Sequence, residues 1–386
     1  MDWSLTPTQA RFLAELRAFL DTAIDRPFSA RPYGASEEAE WERARALHRA
    51  LAARGRYAPA FPRELGGADL GPIETALVDA ELAARRVPDV GRIPAVGYFG
   101  PTIQRWGTPA QIARHVGAIG RAEVVWCQGF SEPAAGSDLA ALQARAVRDG
   151  DGWRINGRKV WTSDALHAGW CYLLARTDPQ APRHRGVSAF LVPMDAPGIE
   201  VRPLVNVADA PAFAEVTFDD VFAPADALLG EAGRGWYVAT TTLDLERVSL
   251  SRWAAVLRDL EDAATWLRDR PIGRGRTTDR LALADAFISA NVARVLAARV
   301  NDRHARGELV GSEASVAKLL SSELGQRVAH LLAGLGGLPA LAHADGAPVP
   351  GTGEAVTSTV PWTIAGGTSE VQRNIIAQRG IGLPRS

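Results

Sequence analysis

The sequence has little of several residue types whose abundance marks particular protein classes. Its 386 residues include two cysteines and seven histidines, and its formal net charge is -1. Two cysteines without CxxC spacing cannot form a disulfide framework, so we interpret Cys127 and Cys171 as small buried apolar side chains. A nearly neutral chain lacks the basic footprint of a nucleic-acid or membrane-surface protein, and we expect neither partner.

Signals for export and for metal binding are also scarce. The sequence has no run of about 18 apolar residues, and residues 1–7 form neither a basic n-region nor an apolar h-region. We therefore expect a cytoplasmic protein. The histidines do not follow metal-ligand spacing, and neither a GxSxG motif, a P-loop nor a GxGxxG motif after a strand occurs. These absences disfavour metal sites, hydrolases of that type and Rossmann domains.

The periodicity of apolar residues changes twice along the chain. The first third begins with a capping-box sequence at residues 6–9 and continues at helical spacing. Short strand-like runs follow, separated by turn signals such as Asn156-Gly157. Long helical patterns then return. We predict an α+β protein with an all-helical N-terminal domain at residues 1–121, a β domain at residues 122–230 and a C-terminal helical domain at residues 231–386.

Two polar segments of the β region could bind a planar or phosphate-bearing ligand. Residues 130–138 combine hydroxyls, small residues and a proline-set turn, which suits donors directed at such a ligand. Trp161 stands beside Thr162 and Ser163 at a strand end, where its indole face could stack on a ring system. Taken alone, the first segment also fits a plain turn, and the tryptophan also fits a core position.

A carboxylate falls on an apolar helix face near the start of the C-terminal third. Glu246 shares this face with Leu243 and Leu250. Burial would raise the pKa of its carboxyl group unless a cation such as Arg247 compensates, so Glu246 is a candidate base. A surface glutamate or a buried ion pair explains the same pattern.

The order and spacing of the motifs resemble the acyl-CoA dehydrogenase family. Residues 131–138, followed by residues 156–163, look like the family's flavin signature. Residues 62–71 are similar to its N-terminal loop, and residues 366–377 to its C-terminal flavin segment. The resemblance covers almost the whole chain. It implies FAD as cofactor, a β-barrel or sandwich as the middle domain and a four-helix bundle as the C-terminal domain.

The resemblance also implies roles for individual residues. For FAD it implies contacts from Gln128, Phe130, Ser131, Gly136, Ser137, Trp161, Thr162, Ser163, Thr368 and Glu370. For the coenzyme A substrate it implies contacts from Ser137, Asp244, Arg247 and Gly367. Arg247 either contacts the substrate or only neutralises Glu246.

The family places its catalytic base at one of two positions. One branch holds the base on the first long helix of the C-terminal domain, where this chain has Glu246. The other holds it directly before the Gly-Thr of the last motif, where this chain has Gly366. Because glycine cannot abstract a proton, the resemblance assigns the base to Glu246.

The reaction implied is the α,β-dehydrogenation of an acyl-CoA thioester to the trans-2-enoyl-CoA. Glu246 would remove the α proton while the β hydride passes to flavin N5, and an electron-transfer flavoprotein or a similar acceptor would reoxidise the flavin. Two alternatives share the fold: a two-component flavin monooxygenase, and a non-catalytic subunit that completes the site of another chain.

Two family elements that reach the FAD of a neighbouring subunit are altered. The Arg-x-x-Phe-Gly element lacks its phenylalanine at residues 268–273, and Ala333 replaces a glutamine before Gly-Gly. Two dimer-of-dimers assemblies fit this pattern. One is an α2β2 heterotetramer with a homologous partner, as in a branch acting on bulky acyl-CoAs, and the other is a homotetramer.

Overall fold

A computed structural model describes most of the chain. The described residues are 4–28, 38–247, 251–268, 277–308, 310–341, 349 and 351–384. Two parts of the sequence predictions lie outside the described residues. One is Leu250, which is predicted to share an apolar helix face with Glu246, and the other is residues 269–273 of the altered Arg-x-x-Phe-Gly element.

The chain folds into two compact units, and each is built from separate stretches of sequence. We call them the helical unit, Met1–Leu47, Leu70–Pro88 and Arg247–Ser386, and the sheet unit, His48–Asp69 and Asp89–Glu246. The expected α+β class is confirmed, since long helices and one mixed sheet make up these units. The three-domain division at residues 121 and 230 stays a prediction.

The helices concentrate at the two ends of the sequence. They are α1 (Pro7–Ala23), α2 (Glu38–Ala52), α3 (Pro72–Ala84), α4 (Arg92–Pro94), α5 (Gly100–Trp106), α6 (Pro109–Gln111), α7 (Gly117–Gly120), α8 (Gly235–Glu246), α9 (Arg252–Arg268), α10 (Thr277–Ala305), α11 (Gly311–Leu341), α12 (Thr352–Ser358) and α13 (Ser369–Ile375). Wider π-helical turns continue three of them, at Ala95–Phe99, Ile112–Val116 and Ile376–Gly380.

Local signals in the sequence set the ends of several helices. At α1 the Thr6 hydroxyl accepts from the Gln9 amide at 3.3 Å, and the Gln9 side chain accepts from the Thr6 amide at 3.0 Å, which confirms the capping box. Near the C-terminal end of α11, Gly337 adopts a φ of 62° and breaks the helix.

The core of the helical unit lies between α9, α10 and α11. Leu260, Ala290 and Val328 are buried there, with Trp362 packed beside them. At the edge of this core, Arg86 binds Asp259 at 2.6 Å and so ties the end of α3 to α9.

The sheet unit is built on one eight-stranded sheet. Its strands are β1 (Trp126–Gly129), β2 (Arg145–Asp149), β3 (Gly152–Ser163), β4 (Trp170–Arg176), β5 (Val187–Pro193), β6 (Ile199–Leu204), β7 (Phe213–Pro224) and β8 (Leu228–Leu229). They follow the order β6-β7-β3-β2-β4-β5-β8, and β1 pairs in parallel with β4. Cys127 and Cys171 are register partners on β1 and β4, and both are buried free thiols, as the sequence predicts.

Main chain packs closely on main chain at two glycines of the sheet unit, in and beside residues 62–71. A Cβ atom added to Gly67 would lie 1.9 Å from the carbonyl oxygen of Phe61, and one added to Gly120 would lie 1.9 Å from that of Leu65. Backbone atoms cannot swing aside as a flexible side chain can. Glycine at residues 67 and 120 is therefore required by close packing of main chain against main chain.

We expect Gly67→Ala to lower the free energy of unfolding by about 1–3 kcal/mol, the usual cost of overpacking. The matched control is Gly334→Ala on α11, where an added methyl group meets no atom within 4 Å. Urea unfolding of both variants measures the effect. Equal stability of the two variants would show that the loop backbone can relax.

Candidate active site

The sheet unit brings the two predicted flavin segments side by side. The amide of Val160 on β3 donates to the carbonyl oxygen of Ser131 at 3.0 Å. Residues 130–138, which leave the end of β1, therefore start beside the last residues of β3. The two halves of the predicted signature thus form one surface, although strand β2 and its flanking turns separate them in sequence.

A buried ion pair holds the two segments together. The Lys159 ammonium lies 2.7 Å from the Glu132 carboxylate, with side chains 0% and 7% exposed. Lys159 also donates to the carbonyl of Phe130 at 3.1 Å, and Glu132 accepts from the amides of Gln143 and Ala144 at 2.6 and 2.9 Å. Burial lowers the pKa of Lys159, and the Glu132 carboxylate opposes that shift. Each charge thus has several partners, which a buried pair requires.

The end of β3 carries a bulge that turns a tryptophan outward. The register between β3 and β7 shifts between Lys159 and Thr162. Within this bulge Trp161 has a φ of 60°, a left-handed conformation that is costly for a bulky residue. Trp161 is 61% exposed, and its ring meets that of Phe213 edge-on, with ring centroids 5.9 Å apart. The core interpretation of Trp161 is therefore wrong. The strained backbone of the bulge places the indole at the surface instead.

The other residues predicted to bind the flavin differ in how deeply they are buried. Phe130 is buried edge-on against Tyr172, with ring centroids 5.1 Å apart. The side chain of Thr162 is buried, and its hydroxyl has no hydrogen-bond partner among the residues that the structure describes. The remaining predicted residues are half-buried or exposed: Gln128, Ser131, Ser163, Gly136 and Ser137.

These residues fit a flavin in kind. The exposed indole offers an aromatic face for a ring system. Ser131 and Ser163 offer hydroxyls, and an added methyl group at Gly136 would meet open space. The set therefore joins an aromatic face to polar edge groups, which is what a planar ring with hydrogen-bonding edges needs.

Helix α8, which ends at Glu246, is anchored in the same unit. The Thr242 hydroxyl lies 3.1 Å from the Tyr172 hydroxyl and 3.0 Å from that of Thr102, and all three side chains are buried. Thr242 precedes Glu246 by one helical turn on the same face. Because Tyr172 packs on Phe130, a short chain of contacts joins the helix of the candidate base to the flavin segment.

The predicted substrate residues fall at the end of this helix and beyond it. On α8, Asp244 is exposed and Glu246 is half-buried. Arg247 follows directly and opens the last stretch of the helical unit. The roles of these three residues stay predictions.

In the helical unit the C-terminal motif is held by a buried lysine that the sequence patterns missed. The Lys318 ammonium donates to the carbonyl oxygens of Gly367 at 2.7 Å and Trp362 at 3.3 Å. Gly366 and Gly367 have φ values of 67° and 87°, so glycine is needed at both. The lysine thereby fixes the turn that leads into α13.

The next residues of this motif begin α13. The Thr368 hydroxyl accepts from the amide of Val371 at 3.2 Å and caps the helix. Hydrogen bonds from its own backbone amide and from Thr368 lower the pKa of the exposed Glu370 carboxyl. The predicted FAD contacts of Thr368 and Glu370 stay predictions.

Asp164 is a further candidate functional residue, which the sequence patterns did not single out. It follows Ser163 directly and has a φ of 60°. Burial, and next the charge of Asp89, raise the pKa of its carboxyl group to about 7. An acidic residue directly after the Trp-Thr-Ser triplet was the available signal.

Comparison with known proteins gives the class of this chain, a flavoprotein of mixed helix and sheet. Three family models match the chain in order: the acyl-CoA dehydrogenase N-terminal domain at residues 6–123, the middle domain at 127–221 and the C-terminal domain at 233–381. The chain belongs to the acyl-CoA dehydrogenase family, as the sequence motifs indicate.

Two Mycobacterium tuberculosis relatives are similar over most of this chain. It is 36% identical to the acyl-CoA dehydrogenase IpdE1, with 97% of each chain aligned. It is 40% identical to the acyl-CoA dehydrogenase FadE34 over 87% of its own length, but this match spans only 46% of FadE34. The chain thus covers about half of that relative.

Two solved structures share the fold over the full length. The Tcur3481-Tcur3483 steroid ACAD gives a TM-score of 0.89 at 30% identity, with 100% of both chains covered. The ChsE4-ChsE5 complex from Mycobacterium tuberculosis gives a TM-score of 0.87 at 28% identity, with the same coverage.

We expect Lys159→Met to cost about 3–5 kcal/mol of unfolding free energy, because the Glu132 carboxylate would remain buried without its cation. Bound FAD per chain should fall with it, since the pair joins the two flavin segments. Chemical denaturation and the ratio of flavin to protein absorbance measure both effects.

The control for this variant is Arg158→Met on the same strand. Arg158 lies 3.5 Å from Glu215, and its side chain is 55% exposed. Loss of such a pair costs at most about 1 kcal/mol. Equal stability and equal flavin content in the two variants would contradict a structural role for the buried pair.

Asp164→Asn tests the effect of pH. Because the pKa of Asp164 is about 7 in the folded chain and 3.8 ordinarily, the folded state binds the extra proton between these values. The native carboxyl therefore destabilises the fold increasingly as pH rises from about 4 to 7, and fully above that. Relative to the native chain, the variant should therefore become more stable from pH 5 to pH 8. The difference in unfolding free energy should rise by at most about 1.4 kcal/mol per pH unit. Urea unfolding at several pH values measures this slope, and a stability difference independent of pH would refute the raised pKa.

Proposed function

We propose that this chain uses FAD to oxidise the α,β bond of an acyl-CoA thioester to the trans-2-enoyl-CoA, with Glu246 as the base. One observation carries the proposal. The helix that ends at Glu246 and both flavin segments belong to one compact unit, joined through Thr242, Tyr172 and Phe130. Family membership supports the class of reaction.

We assign proton removal to Glu246 for two reasons. It is half-buried at the end of α8, and it carries a carboxylate that can accept a proton. The alternative family position is Gly366, which has no titratable group. A thioester α proton is weakly acidic, so donors fixed around the carbonyl oxygen must assist, each contributing about 3 kcal/mol in a dry site.

The flavin surface would position FAD beside the substrate. When bound, FAD supplies the hydride acceptor for the β carbon. Trp161 would lie against the ring system, with Ser131, Thr162 and Ser163 at its polar edge. Ser137, Asp244, Arg247 and Gly367 would bind the coenzyme A substrate.

We propose a bulky acyl group as the substrate class. The likeness to a steroid ACAD over the full chain supports this choice. We also propose a cytoplasmic location and an electron-transfer flavoprotein, or a similar acceptor, as the oxidant.

We propose a dimer of dimers as the assembly, in which a homologous chain completes the FAD site. Ala333 takes the place of a family glutamine that reaches the neighbouring FAD. The similar ChsE4-ChsE5 structure is a complex of two proteins, and more than half of FadE34 lies outside its match with this chain. Full FAD occupancy in a homotetramer of this chain alone would remove the need for such a partner.

Glu246→Gln should retain bound flavin and lose on the order of 10² to 10⁴ in the rate of flavin reduction, the range for removal of a general base. Anaerobic stopped-flow bleaching of the flavin by an acyl-CoA measures it. Glu231→Gln, which neutralises an exposed carboxylate just before α8, should reduce flavin at the native rate. Near-native reduction by Glu246→Gln would remove Glu246 from the mechanism.

The same titration of the native chain separates the alternative functions. Bleaching by acyl-CoA without oxygen supports the dehydrogenase. Substrate hydroxylation that needs oxygen and reduced flavin, without such bleaching, would indicate the monooxygenase. A chain that binds no flavin with its partner present would indicate a non-catalytic subunit.

A further inference from the structure

Both lysines of this chain are buried against main-chain carbonyls of predicted flavin segments. The sequence contains 43 lysines and arginines, but only Lys159 and Lys318 are lysines. They are 0% and 4% exposed, although lysine is one of the residues that proteins bury least. Lys159 donates to the carbonyl of Phe130 at 3.1 Å, and Lys318 donates to that of Gly367 at 2.7 Å. Each buried ammonium thus holds the main chain of one predicted flavin segment.

The hydrogen bonds of Lys318 need a compact cation. Lys159 forms an ion pair with Glu132, whereas the Lys318 ammonium donates to two carbonyl oxygens, those of Gly367 at 2.7 Å and Trp362 at 3.3 Å. These carbonyls come from residues five apart in sequence and converge on one nitrogen atom. An ammonium with three rotatable donors can serve both, while the planar fork of a guanidinium is larger and fixed in shape. The geometry therefore favours lysine in a chain that otherwise uses arginine.

A buried glutamine holds the same turn. Gln372 is 0% exposed, and its side-chain amide donates to the carbonyl oxygens of Gly366 at 3.0 Å and Gly367 at 3.3 Å. A Cβ atom added to Gly367 would lie 2.6 Å from the side-chain nitrogen of Gln372. Both carbonyls of the glycine pair thus accept from buried donors, and the space around the pair is filled.

The direction of these carbonyls decides where the amides of the turn point. In a planar trans peptide the N–H points opposite to the C=O, and the described residues contain no cis peptide. The amides of Gly367 and Thr368 therefore point away from the buried donors. Neither amide has a hydrogen-bond partner within the part of the chain that the structure describes, and both residues are half-buried. Successive main-chain amides of this kind bind oxygen atoms of anionic ligands.

We propose that Lys318 is a positioning residue for FAD, which holds the turn at residues 366–368 so that the amides of Gly367 and Thr368 donate to an oxygen atom of the bound cofactor. The inference rests on the proposed use of FAD. It does not depend on Glu246 as the base or on the identity of the acyl group.

Removal of the ammonium tests the proposal on the full chain. K318M should raise the dissociation constant of FAD on the order of tenfold, measured by flavin fluorescence as the apoprotein is reconstituted. S322A is the matched control, because Ser322 is buried one turn further along α11 and its hydroxyl donates to carbonyls of its own helix. It should bind FAD as the native chain does. Equal affinity of K318M and the native chain would overturn the proposal.

A second control separates positioning from general loss of stability. L260A leaves a cavity in the core of the helical unit and should lower the temperature of thermal unfolding. Leu260 is not part of the turn, so the folded L260A chain should bind FAD with near-native affinity. If L260A weakens FAD binding as much as K318M does, Lys318 has only a structural role and the proposal is wrong.

A double-mutant cycle tests whether the two buried donors act through one turn. Q372L removes the second donor to the Gly367 carbonyl and should also weaken FAD binding. Because Lys318 and Gln372 hold the same carbonyl, K318M combined with Q372L should raise the dissociation constant by less than the product of the two single effects. Effects that multiply would show that the two side chains act separately, contrary to the proposal.

Hydrogen exchange distinguishes failure of this inference from failure of the proposed function. In the apoprotein, amides of residues 363–372 should exchange faster in K318M than in the native chain, because the turn loses an anchor. Unchanged exchange there would overturn the role of Lys318 even if the native chain binds FAD. A native chain that binds no FAD would instead contradict the proposed cofactor, and this inference with it.

Discussion

The buried ion pair between Lys159 and Glu132 is the interaction on which the sheet unit's candidate site depends. It joins a loop after β1 to the end of β3, in a place where neither charge reaches water. Two main-chain amides and one carbonyl complete the coordination of the pair. Such extra hydrogen bonds matter because the cost of desolvating a buried ion pair can exceed the attraction between its charges. With them, the pair specifies a single arrangement of the two segments.

The bulge next to this pair exposes a side chain that can contact a ligand. One extra residue in β3 turns Trp161 out of the sheet in a strained conformation. Strain of this kind persists only where neighbouring structure holds it, and here Lys159 on one side and the β7 pairing of Thr162 on the other hold the chain in place. The Thr242 and Tyr172 hydroxyls tie α8 to the same framework. The candidate base and the flavin surface therefore share one support.

The helical unit follows a different packing logic. In its core, the alanine and leucine faces of α9, α10 and α11 pack against one another. Packing of these apolar faces needs no buried charge. Polar anchoring appears where the unit turns, as at Lys318 and the glycine pair before α13.

The sequence by itself determined the α+β class, the order of helical and β regions, the capped start of α1, the buried cysteines and the family. These properties follow from local periodicity and from short motifs whose residues are close in the chain. Tertiary structure decided which distant residues meet. The pairing of Lys159 with Glu132, the exposure of Trp161, the hydroxyl tie at Thr242 and the raised pKa of Asp164 all depend on strand register and burial. A one-residue shift in register reverses the side of the sheet that each residue faces, and nothing in the order of amino acids alone states that register.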